Sequence, residues 1–328
     1  MNKPASSLTE QDFVRLPADR SMADAIVRPS VSYWRDVLRR IRSDKVAIVS
    51  LAFLVIIILM AIFAPILSPY GYETTDLLHT NQPPSAEHWF GTDMLGRDIF
   101  ARVCVGGRVS LLIALVCTCV QVVVGCAYGG IMAYFGGWVD NIMMRITDIL
   151  YTIPDILLII LLGMALKDPL DKLSTQPGFK WMQTLGPNMI SIFIIFALLY
   201  WVGMARIVRG QILQLKTLDF VTAAEALGCG KATMIREHLL PNCIGQLIAT
   251  VMLQIPSAIF TEAFLSYLGI GVSAPMASLG SLTSEALNGI TTYPYRVIFP
   301  AVLISLIILS FNLFGDGLRD ALDPKMKK

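Results

Sequence analysis

Charged side chains are scarce in this chain. Asp, Glu, Lys and Arg together make up 15% of its 328 residues, whereas hydrophobic residues make up 55%. An average soluble domain carries roughly 25% charged residues. These proportions exclude an ordinary soluble protein and predict an all-α integral membrane protein.

The sequence also lacks the features of a nucleic-acid-binding protein. Its formal net charge is only +2, and it contains no basic run interleaved with aromatic residues. We therefore expect no nucleic-acid partner.

The six cysteines and three histidines show no metal-binding spacing. There is no C-x-x-C pair, and no histidine stands at zinc-ligand spacing. Four of the cysteines lie in or beside one apolar segment, where free cysteine behaves as a small hydrophobic residue. We expect no metal site, and we expect His79, His88 and His238 to be solvated surface residues.

A nucleotide-binding loop is missing as well. A phosphate-cradling loop needs the pattern G-x-x-x-x-G-K-[ST] after a strand. Gly230-Lys231 is the chain's only Gly-Lys pair, but Glu225 stands five residues before Gly230 and Ala232 follows Lys231. This chain is therefore expected to bind no ATP of its own.

Six apolar segments are long enough to cross a hydrocarbon core of about 30 Å. They lie at residues 47–67 and at about 109–134, 142–166, 189–207, 244–270 and 297–314. The first is preceded by a basic amphipathic stretch at 31–46, which predicts a helix lying in the lipid interface. The remaining predicted segments are a polar tail at 1–30, a loop at 68–107, a core of five further spans at 108–320 and a tail at 321–328.

Lys and Arg residues indicate the orientation of these spans. If the N-terminus is inside, nineteen of them fall in inside segments and seven in outside segments. Positive residues favour the cytoplasmic side. Both termini and residues 217–242 are therefore predicted to be cytoplasmic, and loop 68–107 extracytoplasmic.

Residues 217–242 interrupt the apolar pattern with charged residues and must face water. Phe220, Val221, Ala224 and Leu227 share one face at helical spacing, which predicts a short helix. Gly228 is expected to end this helix, and Pro241 to end a second short helix. Such a pair could belong to a channel, a secondary transporter, a membrane enzyme or the membrane half of a pump driven by another chain.

In residues 217–242 the chain resembles the permease subunits of ABC-type importers. Ala223-Ala224, Gly228 and Leu240-Pro241 match their "EAA" signature, while Thr222 replaces its Glu and His238 its Ile. Other blocks resemble the dipeptide, oligopeptide and nickel branch of that family, in which Leu279 is usually Trp. They are FGTD at 90–93, GRD at 96–98, YFGGWVD at 134–140, RITD at 145–148, EAFLSYLG at 262–269 and FNLFGDGLRDALDP at 311–324.

The resemblance implies a type I ABC importer fold with a cytoplasmic coupling loop at 217–242 that docks on an ATPase. It implies a second homologous permease, two ATPase subunits that bind ATP and Mg, an extracytoplasmic binding protein, a peptide substrate and surrounding membrane lipid. The cell would be bacterial or archaeal. The coupling residues would be Phe220, Val221, Thr222, Ala223, Ala224, Glu225, Leu227, Gly228, His238, Leu240 and Pro241, with no catalytic residue among them.

Two intramembrane carboxylates are candidate pathway residues. Glu262 could contact a peptide amino terminus, or it could be a structural partner for a helix end or a neighbouring chain. Asp155 follows Pro154, where a kink requires protein or water nearby. Asp148, one turn after Arg145, is expected to pair with that residue.

Asp93, Arg97 and Asp98 lie in the outer loop. They could receive the binding protein, or they could form an ion-pair network that stabilises the loop.

Two rival functions remain open from the sequence. A nickel or other small-solute permease would share the same blocks. A stand-alone channel or secondary transporter is disfavoured because no repeat pairs broken helices in two halves, and because the helix pair at 217–242 would then have no role.

Overall fold

A computed structural model describes residues 33–272 and 276–322. The predicted tail at 1–30 and most of the tail at 321–328 lie outside the described residues. The described residues are predominantly helical. The helices are α1 (Tyr33–Ser43), α2 (Lys45–Leu67), α3 (Ile99–Phe135), α4 (Gly137–Thr152), α5 (Asp155–Ser174), α6 (Trp181–Leu185), α7 (Pro187–Leu199), α8 (Trp201–Leu215), α9 (Asp219–Ala226), α10 (Lys231–Thr233), α11 (Leu240–Tyr267), α12 (Leu279–Ala286) and α13 (Tyr295–Leu322).

The membrane spans match the predicted number. Within the described residues, five continuous or nearly continuous helices are long and apolar enough to cross a membrane: Lys45–Ile66, Ile99–Phe135, Pro187–Leu215, Lys231–Tyr267 and Tyr295–Leu322. α4 and α5 pass the same test as a pair. If that pair is one broken span, the described residues contain six spans, the number that the sequence predicted.

The third span is broken, where the sequence predicted one continuous segment with a tolerated kink. α4 and α5 meet at an angle of 85°. Between them Ile153 is extended, and Pro154 has φ −58° and ψ 120°. Proline disfavours helical geometry in the residue before it, so α4 ends there and α5 starts in a new direction.

The second span begins earlier than predicted. α3 starts at Ile99, and the Asp98 carboxylate caps it by accepting a hydrogen bond from the Ala101 amide at 2.7 Å. The outer loop therefore ends at residue 98, and the boundary at 107 is wrong. Arg102 made this first turn look like loop in the sequence, but its side chain is buried and ion-paired.

Pro241 does not end a helix, although the sequence predicted that it would. α10 continues through a π-helical segment, Met234–Leu239, directly into α11, and Pro241 is the second residue of α11. Proline removes one backbone donor from a helix. Here it stands two residues after the local irregularity that the π-helical segment introduces.

The predicted interfacial segment at 31–46 is divided. α1 covers residues 33–43, and Asp44 then caps α2 by accepting from the Val46 amide at 2.9 Å. Val37 on α1 packs against Leu318 of α13. α1 and the end of α13 thus lie together at one end of the bundle.

Two glycines of α3 allow it to pack closely against α8. A Cβ added to Gly125 would lie 2.6 Å from the Met204 Cβ, and one added to Gly129 would lie 2.4 Å from the Ala205 carbonyl oxygen. Small residues four apart allow membrane helices to approach closely. α8, which leads into residues 217–242, is therefore seated firmly on α3.

We call the end of the bundle that carries residues 217–242 the coupling end, and the end that carries residues 68–98 the far end. α1, the last turn of α3 and the end of α13 lie at the coupling end, because Lys216 contacts Tyr134 and Val37 contacts Leu318. α12 lies at the far end.

Candidate functional site

The coupling loop begins with the short helix α9, which ends at a glycine-dependent turn. Gly228 has φ +80°. The Gly228 amide donates to the Glu225 carbonyl at 2.9 Å, and the Cys229 amide to the Ala224 carbonyl at 3.0 Å. These two bonds form a Schellman motif, which requires a left-handed residue that glycine adopts without steric cost. The helix thus stops where the sequence predicted.

The apolar face of α9 is divided between two environments. Val221 is 2% exposed and packs in the bundle, and Ala224 packs beside it. Phe220 is 38% exposed and Leu227 is 88% exposed. The expectation that all four residues form one contact face for a partner is therefore wrong: Val221 and Ala224 hold the helix on its own chain.

The side of α9 that faces away from the bundle is exposed and carries both apolar and polar residues. Phe220, Ala223 and Leu227 are spaced i, i+3 and i+7 and so share a face. Thr222 and Glu225 are exposed as well. This exposed side is the part of the loop that a partner chain can reach.

The second part of the coupling loop is more enclosed. His238 is half-buried in the π-helical segment, and its backbone carbonyl accepts from the Asn242 amide group at 2.6 Å. Leu240 is half-buried and Pro241 is exposed. His238 is thus neither freely solvated, as predicted, nor fully enclosed.

Two lysines that the sequence reasoning missed fasten the loop to the end of α3. The Lys216 ammonium donates to the Tyr134 carbonyl at 2.9 Å. The Lys231 ammonium lies 5.2 Å from the centre of the Phe135 ring. A cation beside the last carbonyls of a helix is favoured by the helix dipole. Two sequence features could have predicted this attachment: the YFGGWVD block at 134–140, which begins with Tyr134 and Phe135, and the lysine near each end of α9.

Two ion pairs link α4 to α8. Arg209 binds Asp140 through two bonds of 2.6 Å each, and Arg206 binds Asp148 at 2.7 Å. The predicted pairing of Asp148 with Arg145 is wrong. Asp148 pairs with Arg206 because α8 lies alongside α4. Sequence spacing does not reveal this proximity.

Glu262 lies in the interior of the chain, away from any open pathway. Its side chain is 0% exposed. It accepts hydrogen bonds of 2.8 Å from the hydroxyls of Ser110 and Ser266. The Ser110 hydroxyl in turn accepts from the Leu279 amide at 3.2 Å, at the start of α12. Glu262 therefore joins α3, α11 and α12, and its assignment as a pathway residue is wrong.

We expect Glu262→Gln to leave transport unchanged and to lower the thermal unfolding midpoint. One of the two carboxylate oxygens that accept from serine hydroxyls would become an NH₂ donor facing a hydroxyl. The free energy of unfolding should fall by about 1 kcal/mol. Thermal unfolding in detergent and solute uptake in vesicles measure the two effects. Ser305→Ala on α13, an exposed residue whose hydroxyl bonds only within its own helix, is the control that should change neither. A large loss of uptake with an unchanged midpoint would restore a pathway role for Glu262.

The outer-loop residues form a buried ion-pair network, the second of the two alternatives. Asp93 and Asp98 are 5% and 4% exposed. Asp93 accepts from Arg97 Nε at 2.7 Å and from Arg102 at 2.6 Å. Buried carboxylates cannot receive a partner protein, so the assignment of Asp93 and Asp98 as contact residues is wrong. Arg97, also largely buried, is held by the same network.

We call this group of ion pairs the far-end network. The sequence reasoning missed three of its members, Arg102, Glu285 and His88. Arg102 and Arg97 both contact Glu285 on α12, at 2.9 Å and 3.2 Å. His88 bonds Asp98 at 2.8 Å with its side chain 11% exposed, so the prediction of a solvated His88 is wrong. His79 is half exposed beside Asp76, as expected of a surface residue. Hydrogen bonding to His79 holds the pKa of Asp76 below its usual value.

Asp155 lies on a cavity of about 250 Å³ between α4, α5, α7, α8 and α11. The lining residues are Leu150, Tyr151, Asp155, Leu158, Leu199, Tyr200, Val202, Gly203, Gln254 and Ser257. Among the described residues, no group of three or more His, Cys, Asp or Glu side chains is placed to hold a metal ion.

Comparison with known proteins assigns a family to this arrangement. A family model described as the binding-protein-dependent transport system inner membrane component matches residues 125–328. A second model, the N-terminal TM domain of oligopeptide transport permease C, matches residues 32–84.

Individual relatives align over almost the whole chain. The oligopeptide transport system permease protein OppC of Bacillus subtilis (strain 168) is 46% identical over 316 residues, which are 96% of this chain and 97% of the relative. The dipeptide transport system permease protein DppC of the same strain is 42% identical over 324 residues, 98% of this chain and 95% of the relative. The glutathione transport system permease protein GsiD of Pectobacterium atrosepticum is 36% identical over 295 residues, 90% and 92% of the two chains.

The family model covers more than half of the chain, and the loop geometry and the spans agree with a membrane subunit that works with other proteins. The chain therefore belongs to the family of binding-protein-dependent transport system inner membrane components.

Proposed function

We propose that this chain forms half of the membrane pathway of an ATP-driven importer of dipeptides or oligopeptides. The observation that carries the proposal is the exposed apolar surface on α9: Leu227, 88% exposed, shares a face with Phe220 on a water-facing loop. Exposed apolar groups of this kind indicate a docking site. The names of the three relatives, which transport oligopeptides, dipeptides and glutathione, favour a peptide substrate.

The partner on this surface would be an ATPase subunit, since this chain has no phosphate-binding loop. A helix that presents apolar anchors at helical spacing suits a groove on a partner. Val221 and Ala224 on the buried side, together with Lys216, transmit any displacement of α9 to the bundle. The proposed assembly has two such ATPases, a second permease and a binding protein.

The second permease would cover the exposed side of α4 and α5. Tyr151, Leu157 and Leu161 on these helices are 66%, 56% and 64% exposed. Asp155 lies among them and is exposed too. A carboxylate facing lipid at this depth would cost several kcal/mol, about 2.5–3.5 on insertion scales. This cost favours a protein-lined, wet pathway on that side.

The proposed orientation places the coupling end in the cytoplasm. The positive residues support it, because the predicted inside segments carry nineteen Lys and Arg residues and the outside segments seven. Both termini would then be cytoplasmic, and the binding protein would approach the far end.

Reconstitution tests the function. The chain is placed in proteoliposomes with its companion permease and ATPases, and uptake of radiolabelled di- and tetrapeptides is measured with and without ATP and binding protein. We expect uptake that requires both. Uptake of Ni²⁺ instead would identify the small-solute alternative, and uptake by this chain alone without ATP would identify a channel or secondary transporter.

A further inference from the structure

One broken span opens onto the cavity that Asp155 lines. The third span breaks between α4 and α5, directly before Asp155, at an angle of 85°. The helices on the opposite wall run on without such a break: Tyr200 joins α7 to α8 with helical backbone angles, and Pro256 lies inside α11 between the lining residues Gln254 and Ser257. The break lies near the middle of the third span.

Interrupted helices at this depth indicate water or a polar ligand. Backbone groups freed by a break must be satisfied, so irregular backbone inside a membrane occurs where it is buried in protein or lines a wet cavity. The last four carbonyls of α4, those of residues 149–152, lose their helical partners at the break. Carbonyls at a helix C-terminus favour a cation.

The polar side chains of the cavity are available to such a ligand. Within the described part of the chain, the carboxylate of Asp155 and the side-chain groups of Gln254 and Ser257 have no hydrogen bond or ion pair. Asp155 is the charged member of the lining. The neighbouring cation Arg206, stacked 4.4 Å from the Tyr151 ring centre, is already paired with Asp148.

We propose that this cavity binds the terminal ammonium group of a peptide on its way through the membrane, with the Asp155 carboxylate as its charge partner. Gln254 and Ser257 bind the first peptide groups that follow. Pockets for drug-sized ligands measure about 300–1,000 Å³, so a cavity of about 250 Å³ fits the end of a peptide. The inference rests on the proposed peptide import and names the part of the peptide that is recognised.

The first test is the maximal uptake rate at saturating peptide-loaded binding protein, which removes differences in delivery. For Asp155→Asn we expect this rate to fall about tenfold or more, the value of a lost charge-assisted hydrogen bond. ATP hydrolysis stimulated by the binding protein should stay within about twofold of the unchanged chain. Asp155→Glu should keep most of the uptake.

Asp168→Asn is the matched control, because Asp168 is an exposed carboxylate on the same helix outside the cavity. It should leave uptake unchanged. An Asp155→Asn protein with full uptake would overturn the inference and leave peptide import standing. An unchanged chain that imports no peptide would overturn both.

The second test reports contact directly and needs no binding protein. Ser257→Cys is labelled with a water-soluble thiol reagent, against the background labelling of the unchanged chain. A tetrapeptide with a free amino terminus should slow this labelling, whereas its N-acetyl derivative should not. Adding Asp155→Asn should remove the protection. Equal protection by both peptides, or labelling as slow as at a Leu309→Cys control on α13, would contradict an ammonium site in a wet cavity.

Discussion

Changing Leu227 to Asp is expected to weaken binding of the ATPase subunits about 100-fold without harming the fold of the chain. The side chain is 88% exposed, so its own chain does not depend on it. A partner groove that closes over it would bury an unpaired carboxylate. Truncation of an anchor residue costs about 2 kcal/mol or more, and an unpaired buried charge adds to that loss. At 1.4 kcal/mol for each tenfold change, the sum reaches two orders of magnitude.

Co-purification of the ATPases with tagged permease, followed by titration of the purified parts, measures this effect. Leu78→Asp is the matched control, because Leu78 is 90% exposed but lies in the far-end loop. It should retain normal ATPase binding. If Leu227→Asp still assembles with unchanged affinity, α9 does not dock through its exposed side.

Changing Arg102 to Met is expected to cost about 3 kcal/mol of stability, the low end of the range for removing one member of a buried ion pair, because Asp93 keeps a second cationic partner. The Asp93 carboxylate, 5% exposed, would lose its 2.6 Å bond to Arg102 and keep Arg97 as its remaining cationic partner. Glu285 would lose its link to α3. The far-end loop and α12 should loosen together.

Thermal unfolding in detergent, monitored by monodispersity after heating, measures this loss. Arg108→Met on the same helix is the control, because Arg108 is exposed and should shift the midpoint little. The double variant Asp93→Asn with Arg102→Met should lose less than the sum of the losses of the two single variants, because the two residues share one ion pair. A midpoint for Arg102→Met equal to that of the control would show that the network contributes nothing.

The spans could be predicted because apolar runs of this length permit few other structures. The start of α3 could not be predicted. Arg102 looks like a loop residue until its partner Glu285 is known, and 183 residues separate them. The continuation of the helix through Pro241 was missed because proline usually ends a helix, and the π-helical segment before it has no mark in the sequence.

The candidate site could be located from the sequence but not divided into its parts. The signature residues mark α9 and its turn, yet only packing decides that Val221 faces the bundle and Leu227 faces outward. Glu262 and Asp155 are both carboxylates in apolar surroundings, and the sequence treats them alike. Glu262 accepts hydrogen bonds from Ser266, one helical turn away, and from Ser110, which is distant in the chain. Asp155 has no such partners in the described part of the chain.

The ion pairs between α4 and α8 have a mechanical consequence. Arg209–Asp140 and Arg206–Asp148 join the coupling-end halves of the third and fourth spans into one stiff block, and α9 is attached directly to that block. The block ends at the break before Asp155. In the proposed transporter, a displacement of α9 would therefore reach the walls of the cavity through this block, without passing through the far-end network.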